Sequence, residues 1–235
     1  MLTNKYPLGF FPTALEKMNN LSEKYRDYQL FIKRDDNSGL ASGGNKVRKL
    51  QYLIYEALNK GFDTIITSGA QQSNHCRQTA AACAQAKLEC NLLIGGEKPK
   101  IYNGNLLLSQ LLGAKIHFNG ENRKGEDIED LKIRLEAEGK KVYVVPYGGS
   151  NLLGAYGFVD AVKELKNQLT EMNLKLAIKE LAENEGILLD PVYSGRAFYG
   201  MLDYIKSQKI KKGANILFWH TGGLPANFYY SEELM

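Results

Sequence analysis

A chain of 235 residues is long enough for one large domain or two small ones, and its 44% hydrophobic and 24% charged content is that of an ordinary soluble protein. Its 30 Lys+Arg against 26 Asp+Glu leave +4, with the basic residues scattered along the chain, so no nucleic-acid partner is implied. Cys76, Cys83 and Cys90 form no C-x-x-C, which argues against a disulfide framework or a zinc site. There is no apolar run of membrane-spanning length and no apolar segment behind Met1, so we expect a cytoplasmic protein with no membrane partner.

In chain order, residues 1–29 read as a proline-containing lead-in and a polar helix over 13–25. Residues 30–34 form a short strand. After the glycine turn Ser42-Gly43-Gly44-Asn45-Lys46, the residues Val47, Leu50, Leu53, Ile54, Ala57 and Leu58 have the spacing of an amphipathic helix, which Gly61 closes. A β-branched strand over 63–67 runs into the polar loop 68–75 and an alanine-rich helix over 76–87. Strands at 90–94, 115–118 and 141–145 alternate with helices at 103–112 and 126–138. Then Tyr147-Gly148-Gly149-Ser150-Asn151 opens a helix over 153–169. A second helix, 174–184, follows after only four residues. The chain resumes with 187–189, Asp190-Pro191, Tyr193, a helix over 195–206, and a strand over 215–219 that ends in His220-Thr221-Gly222-Gly223. Alternation of this kind predicts an α/β fold with parallel sheets flanked by helices, whose ligands lie beyond the carboxyl ends of the strands.

Lys46 sits at a helix start, where exposed N–H groups and the macrodipole favour negative charge. A lysine there is less awkward if its charge is removed, by a depressed pKa or by condensation with an aldehyde. From this stretch alone, a solvated surface lysine is the plainer reading. Other strand ends present Ser73, Asn74 and His75, Ser150 and Asn151, and Thr221, although Gly148-Gly149 also reads as a tight turn and Ser150-Asn151 as a helix cap. No G-x-G-x-x-G follows a strand, which counts against a nicotinamide dinucleotide, and G-x-S-x-G is absent, which counts against a serine hydrolase. His75, His117 and His220 are far apart without carboxylates at ligand spacing, so no metal is expected, and His117 reads as structural.

Taken together, Lys33-Arg34-Asp35-Asp36, Gly39-Leu40-Ala41, Gly43-Gly44-Asn45-Lys46 with Arg48-Lys49-Leu50, Gln72-Ser73-Asn74-His75 with Arg77-Gln78-Thr79-Ala80-Ala81, and Gly148-Gly149-Ser150-Asn151 resemble the D-cysteine desulfhydrase and 1-aminocyclopropane-1-carboxylate deaminase family. Asp190-Pro191-Val192-Tyr193 and His220-Thr221-Gly222-Gly223 match its C-terminal motifs. The resemblance implies a two-domain, fold-type II pyridoxal 5'-phosphate enzyme, a lyase acting on a small amino acid and forming a homodimer. It implies that Lys46 carries the cofactor and acts as the base at Cα, that Asn74 bonds the ring hydroxyl oxygen, and that Thr221 faces the pyridine nitrogen. Ser73, with Gln72 and His75 beside it, would meet the substrate carboxylate, and Tyr193 would lie over the reacting atoms. In the deaminase branch the residue after the tyrosine is typically glutamate and the residue after the last histidine leucine. Here they are Ser194 and Thr221, which favours β-elimination from D-cysteine to pyruvate, hydrogen sulfide and ammonia over cyclopropane ring opening.

By the same resemblance, residues 1–48 with 152–235 would form a larger cofactor domain and 49–151 a smaller α/β domain. The larger one is incomplete. After Leu169 only residues 170–173 stand where the family carries two or three βα units, including the turn that cradles the cofactor phosphate. Two readings follow: an enzyme whose full form carries that segment, or a truly shortened, non-catalytic α/β homologue.

Overall fold

The computed structural model describes residues 4–122, 124–171, 185–187, 189–190, 193–223 and 225. In chain order the elements are β1 (Leu15–Lys17), α1 (Asn19–Lys24), β2 (Gln29–Arg34), α2 (Lys46–Asn59), β3 (Thr64–Ala70), α3 (Asn74–Ala86), β4 (Glu89–Gly95), α4 (Gly104–Leu111), β5 (Lys115–Phe118), α5 (Ile128–Ala137), β6 (Val142–Val144), α6 (Leu152–Glu171), α7 (Ser194–Lys206) and β7 (Asn215–His220). The expected helix over 174–184 lies outside the described residues, as does residue 188 of the expected 187–189 segment. Among the described residues no helix is long and apolar enough to cross a membrane.

The chain divides into two compact units, Met1–Gly9 with Lys46–Asp160 and Phe10–Asn45 with Ala161–Met235. The seams fall at 9/10, 45/46 and 160/161, against 48/49 and 151/152 in the sequence reading. In the first unit four parallel strands run in the order β5-β4-β3-β6, with Thr64 to Ala70 of β3 paired to Glu89 to Gly95 of β4. Both central strands are buried for nearly their whole length, as strands covered on both faces must be. Helix α3 packs on β3 and β4 and in turn meets α2, while α5 covers a cluster of Ile66, Leu93, Leu131, Leu135 and Val142. The three cysteines are buried here and unbridged. Burial pushes the Cys76 thiol up to about 12, and a hydrogen bond with Cys83 together with burial raises Cys90.

In the second unit β1 pairs antiparallel and β7 parallel with β2, over a core that includes Met18, Leu21, Leu30, Ile32, Ile216 and Phe218. The helix expected over 13–25 is instead strand β1 followed by the shorter α1. Pairing with β2 decides the matter: Leu15 registers with Lys33, and the buried Lys33 ammonium donates to Thr13 O at 2.5 Å, to Gln168 Oε1 at 2.7 Å and to Glu164. An extended 13–17 keeps that buried cation solvated by protein oxygens, which outweighs the local helical preference.

Candidate active site

Lys46 is the first residue of α2, and its ammonium is half-buried with no hydrogen-bond or carboxylate partner among the described residues. Burial, helped by the charge of Lys49, lowers its pKa to about 8. The helix end is secured from α3, where Gln78 Oε1 accepts from Val47 N–H at 3.0 Å. Lys49, one turn on, donates to Gly148 O at 3.1 Å and Ser150 Oγ at 2.9 Å, so the 147–151 loop is tied to α2. Asn151 Oδ1 accepts from Gly154 N–H at 2.8 Å, so Asn151 caps α6.

The loop that follows β3 opens α3. Ser73 is its N-cap, its Oγ accepting from Cys76 N–H at 3.2 Å. Asn74 Oδ1 accepts from Arg77 Nη1 at 2.9 Å and from Asn105 Nδ2 at 3.0 Å, and its Nδ2 has no partner among the described residues. The Gln72 amide is engaged at both ends, accepting from Asn105 N–H at 2.9 Å and donating to Asn103 O at 3.3 Å. His75 is 4% exposed and turned toward β3, with Nε2 2.9 Å from Thr67 Oγ1. Its burial and the charges of Lys46 and Lys49 lower its pKa to about 3, so the ring is neutral. The structure thus leaves Gln72, Ser73 and Asn74 partly accessible, the Gln72 amide being engaged by Asn103 and Asn105, and buries His75 beneath them.

In the second unit the turn at 43–44 and the end of β7 meet backbone to backbone. Asn45 N–H donates to Thr221 O at 3.0 Å, and a Cβ on Gly222 would lie 2.8 Å from Gly44 Cα. Gly43 has φ +66, and a Cβ there would strike Asp36 O. Ser38 Oγ accepts from Gly44 N–H at 2.9 Å and donates to Gly44 O at 3.0 Å, so this glycine turn is fixed. The C-terminal ends of β2 and β7 border a cleft of about 590 Å³ whose lining includes Arg34, Asp36, Ser42 and His220. Tyr193 is 61% exposed at the head of α7. Its N–H donates to Asp190 Oδ1 at 2.7 Å, and Ser194 donates to Asp190 Oδ2 through both N–H and Oγ.

Residues 6–175 match the model of the pyridoxal-phosphate dependent enzyme family, well over half of the chain. The chain belongs to that family. A protein named D-cysteine desulfhydrase from Klebsiella pneumoniae strain 342 is 33% identical over 312 residues, 95% of each chain, and one from Yersinia pestis strain Pestoides F is 34% identical over 94% of each. A crystal structure of an ACC deaminase homologue superposes with TM-score 0.86 at 28% identity, covering 98% of this chain and 95% of that one. Diaminopropionate ammonia lyase from Escherichia coli, 17% identical with TM-score 0.56, shares the fold over 72% of this chain and 51% of its own. The 312-residue match to the Klebsiella relative is longer than the 235 residues of this chain and reaches 95% of both partners, so that relative carries an internal stretch with no counterpart here.

The family uses pyridoxal phosphate, and the residues present fit its ring. The outward Asn74 Nδ2 is a donor suited to an anionic ring oxygen, and Lys46 is an amine of lowered basicity suited to an aldehyde. Sequence reasoning missed Arg77, Asn105 and Asp190 as the residues that hold these parts. The visible signals were a charged residue on the buried face of an alanine-rich helix and the polar Asn103-Gly104-Asn105 at a helix start.

Proposed function

We propose that the protein is a lyase that eliminates the β-substituent of a small D-amino acid, D-cysteine being the substrate favoured, with pyruvate, hydrogen sulfide and ammonia as products. The observation that carries this reading is Lys46, a half-buried lysine of pKa about 8 at a helix start, with no ion-pair partner among the described residues. Pyridoxal phosphate, when bound, supplies the electron sink for a carbanion at the substrate Cα. At pKa about 8, roughly one tenth of the Lys46 amines are neutral at pH 7, against about 1 in 3,000 for an ordinary lysine. The neutral amine takes the Cα proton. Ser73 and the free N–H groups at the start of α3 receive the substrate carboxylate, and Asn74 Nδ2 donates to the ring hydroxyl oxygen. By the family resemblance, Thr221 would face the pyridine nitrogen and Tyr193, its N–H held by Asp190, would cover the reacting atoms. The buried His75 and the Gln72 amide, engaged by Asn103 and Asn105, support the loop after β3, and the substrate contact falls to Ser73.

Ser194 and Thr221, standing where the deaminase branch typically carries glutamate and leucine, favour elimination over ring opening, and the Ser194 hydroxyl is engaged with Asp190. The second reading, 1-aminocyclopropane-1-carboxylate deamination, draws on the likeness to an ACC deaminase homologue. From the sequence reading we place the protein in the cytoplasm, and from the family resemblance we expect a homodimer, for which light scattering should give twice 26.3 kDa. The deciding experiment is borohydride reduction of the purified protein after incubation with pyridoxal phosphate, followed by peptide mapping and product assays. A reduced adduct on Lys46 and pyruvate from D-cysteine are expected. No adduct would establish a non-catalytic homologue, and 2-ketobutyrate formed faster from the cyclopropane substrate would establish the deaminase.

A further inference from the structure

Arg77 is fully buried on the first turn of α3, and its guanidinium, which has only donors, reaches two amide oxygens at once, those of Asn74 and Asn105. With its oxygen committed, Asn105 must turn Nδ2 the other way, where it donates to Gln72 O at 2.8 Å and to Asn74 Oδ1 at 3.0 Å. Both acceptor sites of Asn74 Oδ1 are then filled, and the amide has one orientation left, with Nδ2 outward. We propose that Arg77 and Asn105 are positioning residues that lock the Asn74 side-chain amide with its donor facing the ligand. Arg77 sets the sense of the chain of bonds, since an arginine cannot accept, and Asn105 relays it. Burial lowers Arg77 to about 10, so it keeps its proton at neutral pH and the sense cannot reverse. A network that only held the loop in place would be indifferent to which end of the Asn74 amide faces out.

This inference rests on the assignment of Asn74 to the ring oxygen, and two readouts separate them. In the cofactor-free protein, side-chain 15N relaxation of the Asn74 NH2 should show an order parameter near about 0.85, falling below about 0.6 in Asn105→Ala while the backbone of residues 74–77 stays rigid. A mobile Asn74 amide in the unmutated protein, or an unchanged one in the variant, would overturn the proposal. Asn105→Asp keeps the acceptor for Arg77 but sets a second oxygen against Asn74 Oδ1, so Arg77 still draws the Asn74 oxygen inward while the new carboxylate repels it, and the amide loses its single favoured orientation. Pyridoxal phosphate affinity should then fall about ten- to a hundredfold, the worth of one hydrogen bond to a charged group. The double variant Asn74→Ala with Asn105→Asp should bind no worse than Asn74→Ala alone, whereas additive losses would refute positioning through Asn74. Should the unmutated protein form no Lys46 adduct, the enzyme reading fails and the relaxation measurement decides the positioning claim by itself.

Discussion

Two ligand-facing loops at strand ends are held by opposite means. The loop after β3 is fixed by side chains, with Arg77 and Asn105 holding Asn74 Oδ1, and Asn105 also bonding Gln72 at its backbone O and its Oε1. The turn after β7 is held chiefly by main chain, with Thr221 O bonded to Asn45 N–H and Gly222 lying against Gly44, beside one side-chain bond from Gly222 N–H to His220 Nδ1. A side-chain network can aim a donor, but any one member can be exchanged and the loss measured. A backbone contact aims nothing, and it admits no side chain at the point of contact.

The widest break in this comparison should come from Gly43→Ala, which requires φ +66 and drives a methyl into Asp36 O. We expect a loss of about 3 kcal/mol or more in urea unfolding, larger than for any single truncation in the β3 loop. A loss under about 1 kcal/mol would mean that the turn can open. A smaller effect concerns the phosphate. If the stretch that this chain lacks lies after α6 and carries the phosphate turn, as the sequence resemblance implies, pyridoxal and pyridoxal phosphate should bind this chain within about tenfold of each other in an absorbance titration. A much stronger preference for the phosphate ester would place a phosphate site in the residues present.

The smallest effect belongs to Lys46. Its folded pKa of about 8 lies below the ordinary 10.5, so between those values the folded chain binds fewer protons than the unfolded one and stability rises with pH. Conversely, that stability is lost as the pH falls from 10.5 toward 8, and below about 8, where the buried amine is charged, none of it remains. The drop from 10.5 to about 8 is worth about 3 kcal/mol for a fully desolvated amine, and solvent reaching the half-buried one reduces it, so Lys46→Met should be more stable than the unmutated protein by roughly 1 kcal/mol at pH 7, the two converging as the pH approaches 10.5. Equal melting temperatures at pH 7 would show that the amine is solvated.

The alternation of elements was legible because apolar spacing at Val47, Leu50, Leu53 and Ile54 and the β-branched run at Thr64 to Thr67 are local signals that the sheet reinforces. The lead-in was not legible, because β1 exists only by pairing with β2 around Lys33, a partner 18 residues from Leu15 in sequence. Within the site, Lys46 and Asn74 stood out in motifs, but sequence could not say that His75 points inward or that Gln72 is spent on Asn105. Both facts depend on where α3 and α4 meet. Asn105 carried no chemistry of its own to draw notice; its importance comes from the direction of hydrogen bonds imposed by a buried arginine.

Cys76, Cys83 and Cys90 all lie in the unit that contains Lys46, and they are 2%, 0% and 4% exposed. A thiol reagent can reach them only when that unit opens, and Cys76 and Cys90, with their raised pKa values, are sluggish nucleophiles until it does. The rate of covalent labelling is thus a built-in clock for the opening of one half of the molecule, readable by mass without introducing a probe. Ligands that close on Lys46 should slow it, while events confined to the other unit, which has no cysteine among its residues, leave no mark on it.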